Sequence, residues 1–411
     1  MYDDEKKLDV FIRLILEELE TAGFSKSTIA SYKTAFKRLK RLAEKQDTNY
    51  LTDKLLTAFL KDDRYVHKNV YCESRAKLHR QCARILESYL KSGCINWSVK
   101  KRGDASSSLK SPILREKLAA FINQMEKDVL KPNTICGYKR IVSYFLIYCQ
   151  SKGYKDLVEL KINDVTNFIK EQYIYHFKPT TIGAVLPGLK KFLSTDENGS
   201  KFVIELPVHL QRKRNIIEIY DENQVSAMKT HISEGGETKR DTAICILALE
   251  TGLRAVDICN LKLHDLDWHK DCIHITQEKT GEIFNMPLRS SYGNAIADYI
   301  LSERPDCDSE YLFIRALAPF QKLTGHSSIW YIINRMEKRS GAKDEKKISG
   351  TRMTRHNAAS RMLTAGIPMQ DISAALGHRN PDSVSIYLTT DDEGLATCTL
   401  SMPVVQKRGA V

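Results

Sequence analysis

No two of the ten cysteines, Cys72, Cys82, Cys94, Cys136, Cys149, Cys245, Cys259, Cys272, Cys307 and Cys398, stand as a Cys-x-x-Cys pair. A zinc site of that kind is therefore not expected, and scattered reduced thiols fit a cytosolic protein. No apolar run reaches the roughly 18 residues a bilayer-crossing helix needs, so no membrane partner is expected. The opening residues Met1 to Lys7 are acidic, then basic, with no apolar stretch. That excludes a signal peptide and points to the cytoplasm.

What the chain has in surplus is positive charge. Its 411 residues carry 63 Lys+Arg against 51 Asp+Glu, a net charge of +12. Such a balance favours a polyanionic partner, because each neutralised phosphate releases condensed counterions. Hydrophobic residues make up 42% of the chain, enough for ordinary globular cores. The length fits two or three domains.

Two basic, loop-like stretches divide the chain. One runs from Ser98 to Ser111 and contains Lys100-Lys101-Arg102-Gly103-Asp104; the other is Gln211-Arg212-Lys213-Arg214-Asn215. The expected parts are a helical domain over 1–97, a linker over 98–112, a second helical domain over 113–210, a third domain over 211–388 and a tail over 389–411. The first two domains resemble each other. Thr28-Ile29-Ala30-Ser31-Tyr32-Lys33 matches Thr134-Ile135-Cys136-Gly137-Tyr138-Lys139, an offset of 106 (134 − 28). Leu56-Thr57-Ala58-Phe59-Leu60 matches Val165-Thr166-Asn167-Phe168-Ile169 at 109 (165 − 56). A duplicated helical unit follows, with helix N-caps expected at Ser27 or Thr28 and at Asn133 or Thr134. Lys33, Lys37 and Arg80 in the first copy, and Lys139, Arg140, Lys178 and Lys190 in the second, are candidate phosphate contacts, with Arg212, Lys213 and Arg214 in the linker. Any one of them alone reads more readily as a solvated surface cation, and it is their clustering in both copies that favours phosphate contact.

The third domain reads as helices around a small hairpin. Cys272-Ile273-His274-Ile275-Thr276 and Ile283-Phe284-Asn285-Met286 alternate apolar and polar residues about a turn at Lys279-Thr280-Gly281-Glu282. Helices are expected over 222–232, 238–251, 292–302, 328–339, 355–365, 369–375 and 382–388. Several residues here suit phosphodiester chemistry. Arg254 and Arg355 are always-charged forked donors, yet each alone reads as an ion-pair arginine. Lys279 on its turn can supply a proton or simply be solvated. His378 can hydrogen-bond a phosphate or cap a helix. Tyr387, nine positions on (387 − 378), is a weak nucleophile unless positioned, and by periodicity a core aromatic.

Taken together, Thr251-Gly252-Leu253-Arg254 with Asp257, Lys279, Arg355-His356, Leu376-Gly377-His378 and Tyr387 resemble the tyrosine recombinases, or phage integrase family, in order and spacing. The resemblance implies a mainly α chain, with two helical SAM-like DNA-binding domains before an α+β catalytic domain holding a small antiparallel sheet. It implies a site-specific DNA recombinase of a bacterial mobile-element type that cuts and rejoins duplex DNA. In that reading Tyr387 forms a covalent 3′-phosphotyrosyl link, and Arg254 and Arg355 hold the phosphate. Lys279 is the general acid, His378 supports the phosphate, and Asp257 and His356 support the site. No cofactor or metal is implied. The implied partners are double-stranded DNA and further subunits in a tetramer on two sites, with the tail docking on a neighbour, in a cytoplasmic, nucleoid-associated bacterial setting. Arg352 stands where the family has His or Lys, and an arginine does not readily deprotonate. The alternatives are a catalytically weakened accessory DNA-binding recombinase and a type IB topoisomerase-like enzyme.

Overall fold

The computed structural model describes residues 7–64, 70–95, 105–175, 179–207, 217–279, 281–378 and 381–390. Two compact units emerge, one of Met1–Trp97 with Ile216–Val411 and one of Ser98–Asn215. The chain is mainly helical with one small antiparallel sheet, as expected from the sequence.

Within the first unit, α1 (Leu8–Thr21), α2 (Lys26–Lys45), α3 (Asp53–Lys61) and α4 (Glu73–Ser92) close a core of their own. Ile15, Leu19, Tyr32, Phe36, Leu39 and Phe59 are all buried there. The second unit repeats the plan with α5 (Pro112–Lys127), α6 (Pro132–Ser151), α7 (Asp164–Tyr175) and α8 (Pro179–Thr195). Its core holds Ile141, Phe145, Tyr148 and Phe168. Phe59 on α3 and Phe168 on α7, paired by the sequence repeat, are thus buried at matching places. The caps differ from expectation. Helix α2 starts from Ser25, whose side chain accepts the Thr28 amide at 3.3 Å. Helix α6 follows Lys131 with no side-chain cap, and Pro132 in its first turn is a proline placed where its missing N–H costs little.

Residues 217–390 build the remainder of the first unit. Its helices are α9 (Glu222–Ser233), α10 (Lys239–Thr251), α11 (Ala255–Asn260), α12 (Ser290–Ser302), α13 (Gly325–Arg339), α14 (Thr351–Thr364) and α15 (Met369–Ala375). A 3₁₀ stretch, Pro381–Thr390, carries Tyr387. The sheet runs β1 (Leu266–Asp267), β2 (Cys272–Thr276), β3 (Ile283–Pro287), antiparallel throughout, with Ile273 opposite Met286 and Ile275 opposite Phe284. Ile273 and Ile275 face the core and His274 and Thr276 face out, as the period of two requires. Helix α10 is the central strut, buried at Ile244, Leu247 and Ala248.

Helix α14 begins at Thr351, four residues before its expected start at Arg355. Gly350 turns the chain at φ +84°, and no side chain caps the helix. Thr351, Met353, Thr354, Arg355, Asn357, Ala358, Ala359 and Ser360 are all buried. A helix enclosed on most sides, with polar residues among the buried ones, has no apolar stripe to mark its ends.

Candidate active site

The site grows from the end of α10. Gly252 closes that helix in the left-handed conformation at φ +65°. A Cβ there would lie 3.0 Å from Ala358 Cβ and 3.3 Å from Arg355 Cα, so the glycine lets α10 end directly against α14. Buried Leu253 anchors the next residue, and Arg254 precedes α11. Its Nη1 donates to Gln277 Oε1 at 2.5 Å, and its Nη2 to the Gly377 carbonyl at 3.4 Å. Asp257, one turn on and buried, approaches Arg254 Nη1 at 3.8 Å through Oδ2. Through Oδ1 it accepts the Glu278 amide at 3.0 Å. Asp257 therefore ties the β2–β3 turn, where Lys279 sits exposed, to the arginine.

Arg355 enters from α14 and is buried. It donates from Nη1 to the Gly252 carbonyl at 2.9 Å and from Nη2 to the Leu376 carbonyl at 2.7 Å. The Tyr387 phenol stands beside it and favours its charged form. Burial, then the nearby Arg254 cation, pull its guanidinium down to about 10, which leaves it charged at neutral pH. Two guanidinium groups so held, with Asp257 the only carboxylate beside them among the contacts described here, leave an excess of positive charge in a low-dielectric pocket. Such a pocket favours an incoming phosphate.

His378 follows Gly377, which takes φ +61°. Burial, then Arg355, Arg254 and Lys279, push its imidazole down to about 4. It is neutral at physiological pH and offers one N–H donor. Its buried Nδ1 has no hydrogen-bond partner among the described residues. Because the folded pKa lies below the unfolded value of about 6.5, the unfolded chain takes up this proton first as pH falls. Stability from His378 is therefore present above about pH 6.5 and is lost as pH drops toward 4. A His378→Gln protein should lose less of its thermal stability between pH 7 and pH 5, by about 1–2 kcal/mol after allowing for the ring's partial exposure. Parallel melting curves at the two pH values would reveal an unchanged slope if the ring were not so placed.

Tyr387 is 4% exposed and packs with Ile217, Ala359, Ile372, Leu376 and Val384. It is the core aromatic that its periodicity suggests, set beside Arg355. His356 packs edge-on against it, ring centroids 5.9 Å apart, and places Nδ1 3.3 Å from the Glu218 carbonyl. Burial, then the cations of Arg352 and Arg355, lower its pKa. Arg352 is exposed on the first turn of α14.

The structure thus gathers Arg254, Asp257, Arg355, His356, His378 and Tyr387, with Lys279 on the adjoining turn. Gln277, also in this network, was missed by the sequence reading, although it continues the inward-facing series 273, 275, 277. Of the candidate DNA contacts, Lys37, Arg80, Arg140 and Lys190 are exposed and Lys139 is half-buried. Lys33 is exposed with Nζ 3.5 Å from Glu20. Lys178, Arg212, Lys213, Arg214 and the tail beyond 390 lie outside the described residues. No helix among the described residues is long and apolar enough to cross a membrane.

A mostly helical fold with a three-stranded sheet and this arginine–histidine–tyrosine constellation defines the class. The model of the phage integrase family matches residues 218–393. The integrase/recombinase y4rA of Sinorhizobium fredii is 30% identical over 280 residues, covering 67% of both chains. Tyrosine recombinase XerA of Pyrococcus furiosus is 26% identical over 290 residues, covering 68% of this chain and 90% of its own. The chain belongs to the phage integrase family, as a tyrosine site-specific recombinase. Its fold is shared by the Tn1549 transposon integrase in complex with transposon right-end DNA, with TM-score 0.54, 16% identity and coverage of 69% and 99%. It is also shared by the XerH recombinase bound to difH substrate, with TM-score 0.51, 13% identity and coverage of 96% of each chain.

Proposed function

We propose that this recombinase exchanges DNA strands through a covalent 3′-phosphotyrosyl intermediate formed on Tyr387. The observation that carries the reading is the placement of Arg355 beside the buried Tyr387 while Arg355 and Arg254 donate to the Leu376 and Gly377 carbonyls that lead into His378. In the proposed step the Tyr387 oxygen attacks phosphorus and the bond from phosphorus to the 5′ oxygen breaks. Arg254 and Arg355 stabilise the charge that spreads over the non-bridging oxygens, and neutral His378 donates a hydrogen bond to one of them. Lys279 protonates the departing 5′ oxygen. The phenol proton leaves to water or to the neutral ring of His356, since an arginine at 352 does not accept it. Arg352 then serves as a further phosphate donor. A 5′ hydroxyl from another strand reverses the sequence, so one ester is exchanged for another and no nucleotide is consumed.

Duplex DNA is the proposed substrate, gripped through phosphates by the exposed lysines and arginines of the two helical bundles. The domain division is proposed as 1–97 and 113–210 for DNA binding, joined by 98–112, then 211–388 for catalysis. Residues 389–411 would dock on a neighbouring subunit of a tetramer on two sites. The proposed biological role is integration, excision or transposition of a mobile element. Relatives named integrase/recombinase and a neighbour titled a transposon integrase support it. Sequencing of DNA captured covalently by the wild-type protein tests the whole reading. Captured fragments should share one sequence and carry the protein on a 3′ phosphate with a free 5′ hydroxyl opposite. Adducts at random sequence would favour a topoisomerase instead.

A separate outcome follows for the acid. Lys279→Ala should cut cleavage on the order of 10²-fold or more. A substrate whose 5′ bridging oxygen is replaced by sulfur should restore the variant, because a thiolate departs without a proton. Equal defects on both substrates would remove Lys279 from the acid role.

A further inference from the structure

We infer that Gln277 is a positioning residue, a buried amide that sets the orientation of Arg254 and locks it to the loop before His378 and the turn bearing Lys279. The inference rests on the proposed roles of Arg254, Lys279 and His378.

Gln277 is fully buried, although it stands at the end of β2 where the chain heads into a solvent-facing turn. Its amide is used on both sides. Oε1 accepts from Arg254 Nη1 at 2.5 Å, and Nε2 donates to the Leu376 carbonyl at 3.0 Å. The same Leu376 carbonyl accepts from Arg355 Nη2 at 2.7 Å. One side chain therefore joins the ligands of both guanidinium groups. Its backbone holds the turn as well: its N–H donates to the Glu282 carbonyl at 2.9 Å, and its carbonyl accepts the Gly281 amide at 2.7 Å. Lys279 lies inside that closed turn.

The fit explains a glycine. A Cβ on Gly377 would come 1.9 Å from Gln277 Nε2 and 2.4 Å from its Cδ. The amide thus occupies the space a side chain at 377 would fill, and the Leu376–Gly377 backbone lies directly on it. A neutral amide suits this place. It accepts from a cation without neutralising it, so Arg254 keeps its charge for phosphate, whereas a carboxylate would hold it in an ion pair. It also supplies a second donor to the Leu376 carbonyl, which a carboxylate lacks.

The test compares Gln277→Ala, Gln277→Glu and Tyr387→Phe with the wild type. The probe is a nicked duplex carrying the sequence that the wild-type protein captures covalently. Gln277→Ala should bind it within a few-fold of wild type yet form adduct on the order of 10- to 100-fold more slowly, the scale of a small displacement of a reacting group. Gln277→Glu fills the same space but pairs with Arg254 and offers the Leu376 carbonyl no donor, so it should be slow as well. A general packing defect would be repaired by this side chain of equal size. Adduct formation by Gln277→Ala or by Gln277→Glu at the wild-type rate would overturn the inference. Adduct from Tyr387→Phe would instead overturn the nucleophile reading and leave the Gln277 comparison standing.

Discussion

Tyr387→Phe should bind its site as tightly as the wild type and form no covalent adduct. Only one oxygen is removed. The ring stays among Ile217, Ile372, Leu376 and Val384, so packing is retained and the change in folding stability should stay within about 1 kcal/mol. The chemistry has no substitute on the same element, because Tyr387 is the last tyrosine in the chain. The hydroxyls of Ser385 and Thr389 lie two residues to either side of it. Neither replaces a phenol, whose pKa lies far below that of an aliphatic alcohol. The variant should accumulate on nicked duplex without cleaving it, read as a retarded band that denaturant dissolves completely. Adduct resistant to denaturant would place the nucleophile elsewhere.

Much of this site was legible in the sequence because its parts sit on features that leave local marks. The hairpin announced itself through alternation and a turn glycine, and its strands lie within a residue of expectation at 272–276 and 283–287. Helix α15 matches at both ends, bounded by Pro368 and Gly377. What escaped had no such mark. The start of α14 is buried and uncapped, so four residues of helix ahead of Arg355 gave no signal. Gln277 was passed over because a polar residue beside a turn reads as solvated, although its parity with Ile273 and Ile275 points it inward. The cap of α2 falls earlier than expected because Ser25, Ser27 and Thr28 all compete at its start, and α6 starts from Lys131 with Pro132 in its first turn and no side-chain cap. Proximity across the chain was invisible throughout: Arg254 and Gly377 are 123 positions apart yet share a hydrogen bond.

Arg355→Lys should lose about 10²- to 10³-fold in cleavage while keeping its charge, the loss expected when a fixed donor to a developing oxyanion is removed. The reason lies in geometry. The guanidinium donates to the Gly252 and Leu376 carbonyls at once and stands beside the Tyr387 phenol. An ammonium is a single point on a flexible stem and does not span all three. Arg355→Ala should be worse on both counts, with no detectable cleavage and a lower melting temperature. The Gly252 carbonyl would lose its donor, at about 1–3 kcal/mol, while the Leu376 carbonyl would keep the one from Gln277 Nε2. That cost is partly offset, because the alanine variant also loses a buried cation already disfavoured by Arg254. Binding to the site should fall only a few-fold in either variant, since most phosphate contacts are proposed to lie on other residues. Cleavage rate on a nicked duplex, set against melting temperature, separates the two effects: the lysine variant should lose rate with little loss of stability. If Arg355→Lys cleaved at the wild-type rate, charge alone would suffice at this position, and the forked geometry would not be what aligns the phosphate with Tyr387.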